Sequence, residues 1–253
     1  MTRRGVTIIE IIVVIAIIAM LLGLTSLTLS GVRSAGRNVS CLNNLRQMSI
    51  GARQYALQYN YFPPAIRYER RNGGLIRIAW DWVTTFDGQV LESGALWQFT
   101  DNPGEIHQCP EYEGPSNYNG DPFTGYNYNT SYLGGEAPFP QVGWNLFRPG
   151  IPSSTCTRTS TCVVFGDGGW LNGANKFMRA PENPESMPWS LVYSGGQAFR
   201  HRGSTNVAYI DGHVGHVSRP WEGKHATDSL LSAFMDYPDN GFLSNDDRAY
   251  KPR

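Results

Sequence analysis

Residues 6–29 (VTIIEIIVVIAIIAMLLGLTSLTL) are an almost unbroken apolar run whose one charge is Glu10. A helix of these 24 residues reaches roughly 36 Å, and a hydrocarbon core is about 30 Å thick, so the run predicts a membrane span. It exceeds the apolar region of a cleaved secretory signal, about 7–15 residues. The pattern then changes. Leu42, Leu45, Met48, Ala52, Tyr55, Ala56 and Tyr59 recur at spacings of three and four, which predicts one buried stripe of an amphipathic helix. Pro63-Pro64 stops that helix and pushes Phe62 toward an extended conformation. A single helix over 6–59 would be about 80 Å long, with Gly23, Gly31 and Gly36 as the expected points of bending.

After the prolines, short apolar runs alternate with turn residues. Residues 75–82 predict a strand, 90–99 a short helix or turn-rich piece, and 162–166 a strand. The Tyr-, Asn- and Gly-rich stretch 112–135 has no helical period and reads as a long surface loop with brief extended pieces, its aromatics packing turns in preference to binding glycan. Residues 206–210 and 213–217 flank Asp211-Gly212, a two-residue hairpin signal. In that register Ile210 faces His213 and Val207 faces His216. The fold class is therefore α+β, an antiparallel sheet laid on the long N-terminal helix.

Composition divides the chain further. Lys+Arg and Asp+Glu balance at 21 each, so no net positive charge advertises nucleic acid. The balance hides an asymmetry: between Glu10 and Glu69 there is no acid, while Arg33, Arg37, Arg46, Arg53 and Arg67 all fall there. A basic stalk carries an acidic remainder, and Arg46 and Arg53 are the residues expected to meet acidic heads of neighbouring copies.

A carboxylate inside an apolar span is costly, about 2.5–3.5 kcal/mol on insertion scales, and demands a partner. Glu10 lies four residues beyond Val6, at the offset where it would meet a free amine if the chain were cut after Gly5. Arg3-Arg4-Gly5 followed by Val6-Thr7-Ile8-Ile9-Glu10 and a long aliphatic run resembles the class III leader of type IV prepilins and pseudopilins, although Val6 stands where the family usually has Phe or Met. His201, nine residues, then Asp211-Gly212 is similar to the H-X9-DG C-terminal motif of prepilin-like proteins of Planctomycetes/Verrucomicrobia type. Supporting pieces are Cys41-Leu42-Asn43-Asn44-Leu45-Arg46-Gln47, Phe62-Pro63-Pro64, Gly94-Ala95-Leu96-Trp97, Cys109-Pro110 and Val164-Phe165-Gly166-Asp167-Gly168.

The resemblance implies a type IV pilin-like fold, cleavage after Gly5 by a prepilin peptidase, methylation of Val6, and assembly guided by Glu10. Its organisation would be a leader at 1–5, a transmembrane and assembly half-helix at 6–29, an amphipathic half at 30–61, and a periplasmic or extracellular head at 62–253. Its partners would be other pilin-like subunits, the peptidase, the inner-membrane assembly machinery and, before assembly, membrane lipid. The role would be a subunit of a pilus-like or type II secretion pseudopilus-like fibre. A membrane-anchored periplasmic glycan- or metal-binding protein that does not polymerise is the alternative.

Candidate chemistry is sparse. His201, Asp211, His213 and His216 are metal-ligand types, but alternation puts His213 and His216 on opposite faces of the hairpin, which argues against one shared ion. Asp236, Asp239, Asn240, Asn245, Asp246 and Asp247 supply hard oxygens for Ca2+ without matching the spacing of a calcium loop. No nucleophile elbow, phosphate-binding glycine loop or H-E-x-x-H pattern appears, so an enzyme has no support. On the exported side of a membrane the four cysteines read as two disulfides with three possible connectivities, one of which closes a small Cys156–Cys162 loop and pairs Cys41 with Cys109. Buried free thiols and a four-cysteine metal site remain the other readings.

Overall fold

The computed structural model describes residues 5, 7–100, 103–114, 125–135, 150–182, 192–235 and 240–253, without the side chains of 24–30, 103 and 105. One helix, α1, runs unbroken over Ile8–Tyr59, about 78 Å at 1.5 Å per residue; Gly23, Gly31 and Gly36 do not interrupt it. Thr7 caps its start: the Thr7 hydroxyl accepts from the Glu10 amide at 3.3 Å, and the Glu10 carboxylate accepts from the Thr7 amide at 2.7 Å. This reciprocal box satisfies two donors the helix leaves unpaired. Asn60 closes the other end in the left-handed region, at φ 64°. Among the described residues no helix is long and apolar enough to cross a membrane. The predicted span at 6–29 falls partly on Val6 and on side chains that lie outside the described residues.

The second half of α1 buries Cys41, Leu45, Met48, Ser49, Ala52 and Ala56. The expected stripe is therefore narrower than its apolar pattern, since Leu42 and Tyr55 are half-buried and Tyr59 is exposed. It also contains polar members, because the head supplies partners: the Ser49 hydroxyl donates to the Tyr209 carbonyl oxygen at 2.6 Å.

Two sheets follow. The first is an antiparallel meander of β1 (Ile66–Arg71), β2 (Gly74–Ala79), β3 (Trp82–Thr85) and β4 (Val90–Ser93). The single strand expected over 75–82 is thus two, divided at Trp80-Asp81, and 90–99 is strand β4 followed by a 3-10 turn, Ala95–Phe99. The second sheet comprises β5 (Tyr126–Asn129), β6 (Val163–Gly169), β7 (Phe177–Met178), β8 (Gly196–Ala198), β9 (Thr205–Tyr209), β10 (Val214–Val217) and β11 (Asn240–Gly241). Its order is β10-β9-β6-β5-β7, with β8 joining β6 to β11. All its pairs are antiparallel except β5 with β7. The class is α+β, with one antiparallel and one mixed sheet.

Strand β5 corrects the loop expectation for 112–135. All four of its residues are buried, while 115–124 lie outside the described residues. Tyr126 and Tyr128 join the core beneath α1. Asn127 and Asn129 are satisfied inside the protein: Asn127 Nδ2 donates to the Gly196 carbonyl oxygen at 3.1 Å, and Asn129 Nδ2 to those of Val163 and Tyr250 at 2.8 and 2.9 Å. Buried amides with partners cost little, so a polar pattern here conceals an interior strand.

The terminal hairpin is also in a different register. Val214 faces Ala208 and His216 faces Asn206, one residue from the expected pairing, because the loop has three residues, Ile210-Asp211-Gly212. The Tyr209 amide donates to the His213 carbonyl oxygen across it at 3.0 Å. Gly212 takes φ +94°, the left-handed position that three-residue hairpin loops assign to glycine.

Trp80 is the hub of the core between α1 and the sheets. Its ring lies 5.3–6.4 Å from those of Trp97, His107, Tyr128 and Phe165. His107 is the last residue of α2 (Pro103–His107) and is itself buried. Trp82 Nε1 donates to His107 Nδ1 at 3.3 Å, which leaves the proton on Nε2, 3.8 Å from Asp81 Oδ2. Burial pulls the His107 pKa down to about 4, with Asp81 opposing and Lys176 adding to the effect. The unfolded chain takes up this proton near pH 6.5, so stability falls as pH drops from about 6.5 toward 4. Between pH 6.5 and 5 the expected loss is about 2 kcal/mol. Denaturant midpoints across that range test it. His107→Asn, which keeps an acceptor for Trp82, should flatten the slope; an unchanged slope would assign the acid sensitivity to other groups.

Candidate functional site

Four buried side chains from four distant segments converge under the stalk. Cys41 comes from α1, Cys109 from just beyond α2, Asp167 from β6, and His201 from the turn preceding β9; their ligand-type atoms all lie within 4.8 Å of one another. Asp167 is the centre. Its Oδ1 accepts from Cys41 Sγ at 3.4 Å and from Cys109 Sγ at 3.6 Å. Its Oδ2 accepts from the Asn206 amide at 2.8 Å and faces His201 Nε2 at 3.3 Å. Cys109 Sγ lies 3.8 Å from the same His201 nitrogen.

Local backbone makes this convergence possible. Gly125, at φ +115°, passes so close that a Cβ there would sit 2.4 Å from the Cys109 Cβ. Only glycine combines that φ with that approach. The Arg200 guanidinium closes the site, donating to the Gly125 and Gly168 carbonyl oxygens and lying 4.6 Å over the Tyr112 ring.

The electrostatics are uneven. Burial drives the Cys41 thiol far up. A hydrogen bond from Cys41 brings Cys109 down to about 6 against its burial, with His201 and Arg200 assisting. At His201, burial pulls downward, but the bonds to Asp167 and Cys109 outweigh it and raise the imidazole to about 9. A thiolate beside an imidazole and a carboxylate invites a nucleophile reading. The geometry opposes it: in a relay the base uses its two nitrogens for nucleophile and orienting carboxylate, whereas one nitrogen of His201 faces both, and Cys109 has no exposed surface.

The other sequence-predicted sites stand apart. His201 and Asp211 lie at opposite ends of β9. Asp211 Oδ1 contacts His213 Nδ1 at 2.5 Å on the surface, and His213 stacks on Tyr209 at 4.0 Å; the set of His201, Asp211, His213 and His216 is not assembled. Asp246 pairs with Arg248, which holds its carboxyl down to about 2. Asp247 is buried, taking the Tyr132 hydroxyl and the Glu182 amide at 2.7 Å, so the two share no common point. Asp236 and Asp239 lie outside the described residues, as does Val6; Gly5 is exposed.

No disulfide joins any of the four cysteines in this structure. Cys162 Sγ donates instead to the Tyr250 carbonyl oxygen at 3.1 Å. Cys41 and Cys109 do meet, as one of the three pairings required, but with Asp167 and His201 between and beside them. The sequence presents Asp167 only within Val164-Phe165-Gly166-Asp167-Gly168, just past the expected strand at 162–166; an acidic residue flanked by glycines after a run of buried apolar positions is the signal that marks it.

The H-X9-DG segment has a plain geometric meaning. His201 meets α1 at Cys41, and the Asp211 carbonyl oxygen accepts from Arg53 Nη1 at 2.6 Å. Those stalk positions are twelve residues apart, roughly 18 Å along a helix, and β9 spans the interval. Arg53 is thus engaged within its own chain, as is Arg37, 2.9 Å from Glu111, which narrows the expected set of stalk arginines free for neighbours to others such as Arg46.

Fold and site together define an α+β protein whose long helix is joined to its head through a buried thiol, imidazole and carboxylate cluster. The family described as a protein of unknown function, DUF1559, matches residues 30–156, half of the chain, and the chain belongs to that family. The match includes Cys41 and Cys109 and ends before Asp167 and His201. No curated protein and no solved structure matches the chain.

Proposed function

We propose that this chain is a structural subunit of a type IV pilus-like or type II secretion pseudopilus-like fibre. It would be made as a prepilin, held in the inner membrane by its N-terminal helix with the head outside the cytoplasm, cut after Gly5, and assembled through that helix. The observation that carries the reading is the division of α1. From Ile8 to Leu22 the large aliphatic side chains on every side are exposed, from 49% at Ile18 to 77% at Ile8, whereas the stripe beginning at Cys41 is buried under the head. Burying one large aliphatic side chain is worth about 1.5–3 kcal/mol, so an apolar cylinder of this length is stable only against lipid or other such helices. Membership in a family typical of proteins with a prepilin-like N-terminus adds support, as do Arg3-Arg4-Gly5 and the placing of Glu10.

In the uncut chain the Glu10 carboxylate is occupied by Thr7. Cleavage would create an amine at Val6 one residue away, a stronger partner than an amide. Intact mass and N-terminal sequencing of the protein from the membrane fraction test the reading. The expected chain begins at Val6 and carries one added methyl group, and Glu10→Ala is processed but fails to enter fibres. A chain beginning at Met1, in cells with an active prepilin peptidase, would overturn it in favour of an anchored binding protein that does not polymerise.

A further inference from the structure

We propose that Cys41, Cys109, Asp167 and His201 form a structural zinc site that locks the head onto the stalk. The inference is independent of whether the chain polymerises.

The distances carry it. With zinc bonds near 2.3 Å to sulfur and 2.0–2.1 Å to nitrogen or oxygen, the edges of a tetrahedral site are about 3.3–3.8 Å. Cys41 and Cys109 lie 3.4 and 3.6 Å from Asp167 Oδ1, Cys109 lies 3.8 Å from His201 Nε2, that nitrogen is 3.3 Å from the other carboxylate oxygen, Oδ2, and one ligand atom from each of the four residues falls within 4.8 Å of the rest. One ion at their centre would replace these contacts with bonds and require little movement of the chain.

The donor set is that of a borderline-soft cation: two sulfurs, one imidazole nitrogen and one carboxylate. All four residues are buried, which leaves no open coordination position and marks a structural, closed site in place of a catalytic one. Charge also closes. Two thiolates, one carboxylate and a divalent ion leave one negative charge, and the Arg200 guanidinium, held beside the site by the Gly125 and Gly168 carbonyl oxygens, is placed to balance it inside the protein. A disulfide between Cys41 and Cys109 would use two of the four groups. It would take both S–H donors from Asp167 Oδ1 and give no role to the convergence of His201 on the same point.

The four residues lie on the helix, on the loop after α2, on β6 and in the turn before β9, so the ion would tie the stalk to the second sheet and to the loop after α2. The site resolves what the separate motif fragments around Cys41, Cys109, Asp167 and His201 have in common: they are one coordination sphere.

The test uses the full chain, purified in detergent without chelator or reductant. Metal analysis is expected to find about one zinc per chain, with peptide mapping showing Cys41 and Cys109 as free thiols. Replacement by CoCl2 should produce the visible bands of a tetrahedral cobalt site and a near-ultraviolet thiolate charge-transfer band. Cys109→Ser should lose that band, Asp167→Asn, which preserves volume, should shift it, and Cys162→Ser should leave zinc content and spectrum unchanged. Should either ligand variant fail to fold, the cobalt spectrum of the unmutated chain decides alone. A Cys41 to Cys109 disulfide in the mapped peptides would overturn the proposal. So would free thiols that develop no cobalt spectrum when the reduced protein is given excess CoCl2.

Discussion

Trp80→Ala is expected to lower the stability of the head by about 3–5 kcal/mol, a large part of the roughly 5–15 kcal/mol that holds a domain together. Trp80 is 1% exposed and touches four rings supplied by the 3-10 turn, α2, β5 and β6. Its Nε1 also donates to the Lys176 carbonyl oxygen at 3.3 Å. Truncation therefore leaves a cavity among rigid aromatic groups that cannot collapse onto it, and one buried acceptor loses a donor. The near-ultraviolet circular dichroism should weaken together with the denaturant midpoint. A loss below about 1 kcal/mol would mean that the stalk and the two sheets hold together without this hub.

The second large effect is expected at the ion pair beside it. Asp81 is completely buried, and Lys176 Nζ lies 2.9 Å from its Oδ1. Removing either partner leaves an uncompensated charge in the interior, so Asp81→Leu or Lys176→Met alone should cost about 3–5 kcal/mol. The pair as a whole is worth much less than either single loss suggests, because both ions give up their hydration. Asp81→Leu combined with Lys176→Met should therefore recover most of the stability of the single variants. Urea unfolding of the singles and the double closes the cycle. Strictly additive losses would show that the two groups do not act as a pair.

The long helix was legible because its signals are local. Apolar density over residues 6–29, spacings of three and four beyond, and Pro63-Pro64 at the end all act within a turn or two of chain. The Asp211-Gly212 turn was visible for the same reason, yet its loop length was not, since the Ile210 amide donates to the Cys162 carbonyl oxygen beside β6 at 3.2 Å and not across the hairpin. Asn72 and Gly73, both at positive φ between β1 and β2, carry an equally strong hairpin signal that the pattern reading passed over. Strand β5 was hidden by its composition. Tyr-Asn-Tyr-Asn looks like surface until the partners of its asparagines, on segments far along the chain, are known.

The candidate site divides in the same way. A meeting of Cys41 with Cys109 was one of the three pairings that four cysteines allow. Asp167 and His201 joined them only when β6 and β9 paired beneath α1, because coordination is a three-dimensional coincidence that spacing does not encode.

What the sequence by itself determined was a long N-terminal helix with two unlike halves and an α+β head, since each rests on periodicity, length or adjacent residues. What only the tertiary structure decided was which buried polar groups face one another: the cluster at Asp167, the pair at Asp81, the amides of β5. Their energies depend on partners more than 30 residues away, and distances between such residues exist only once the chain has closed on itself.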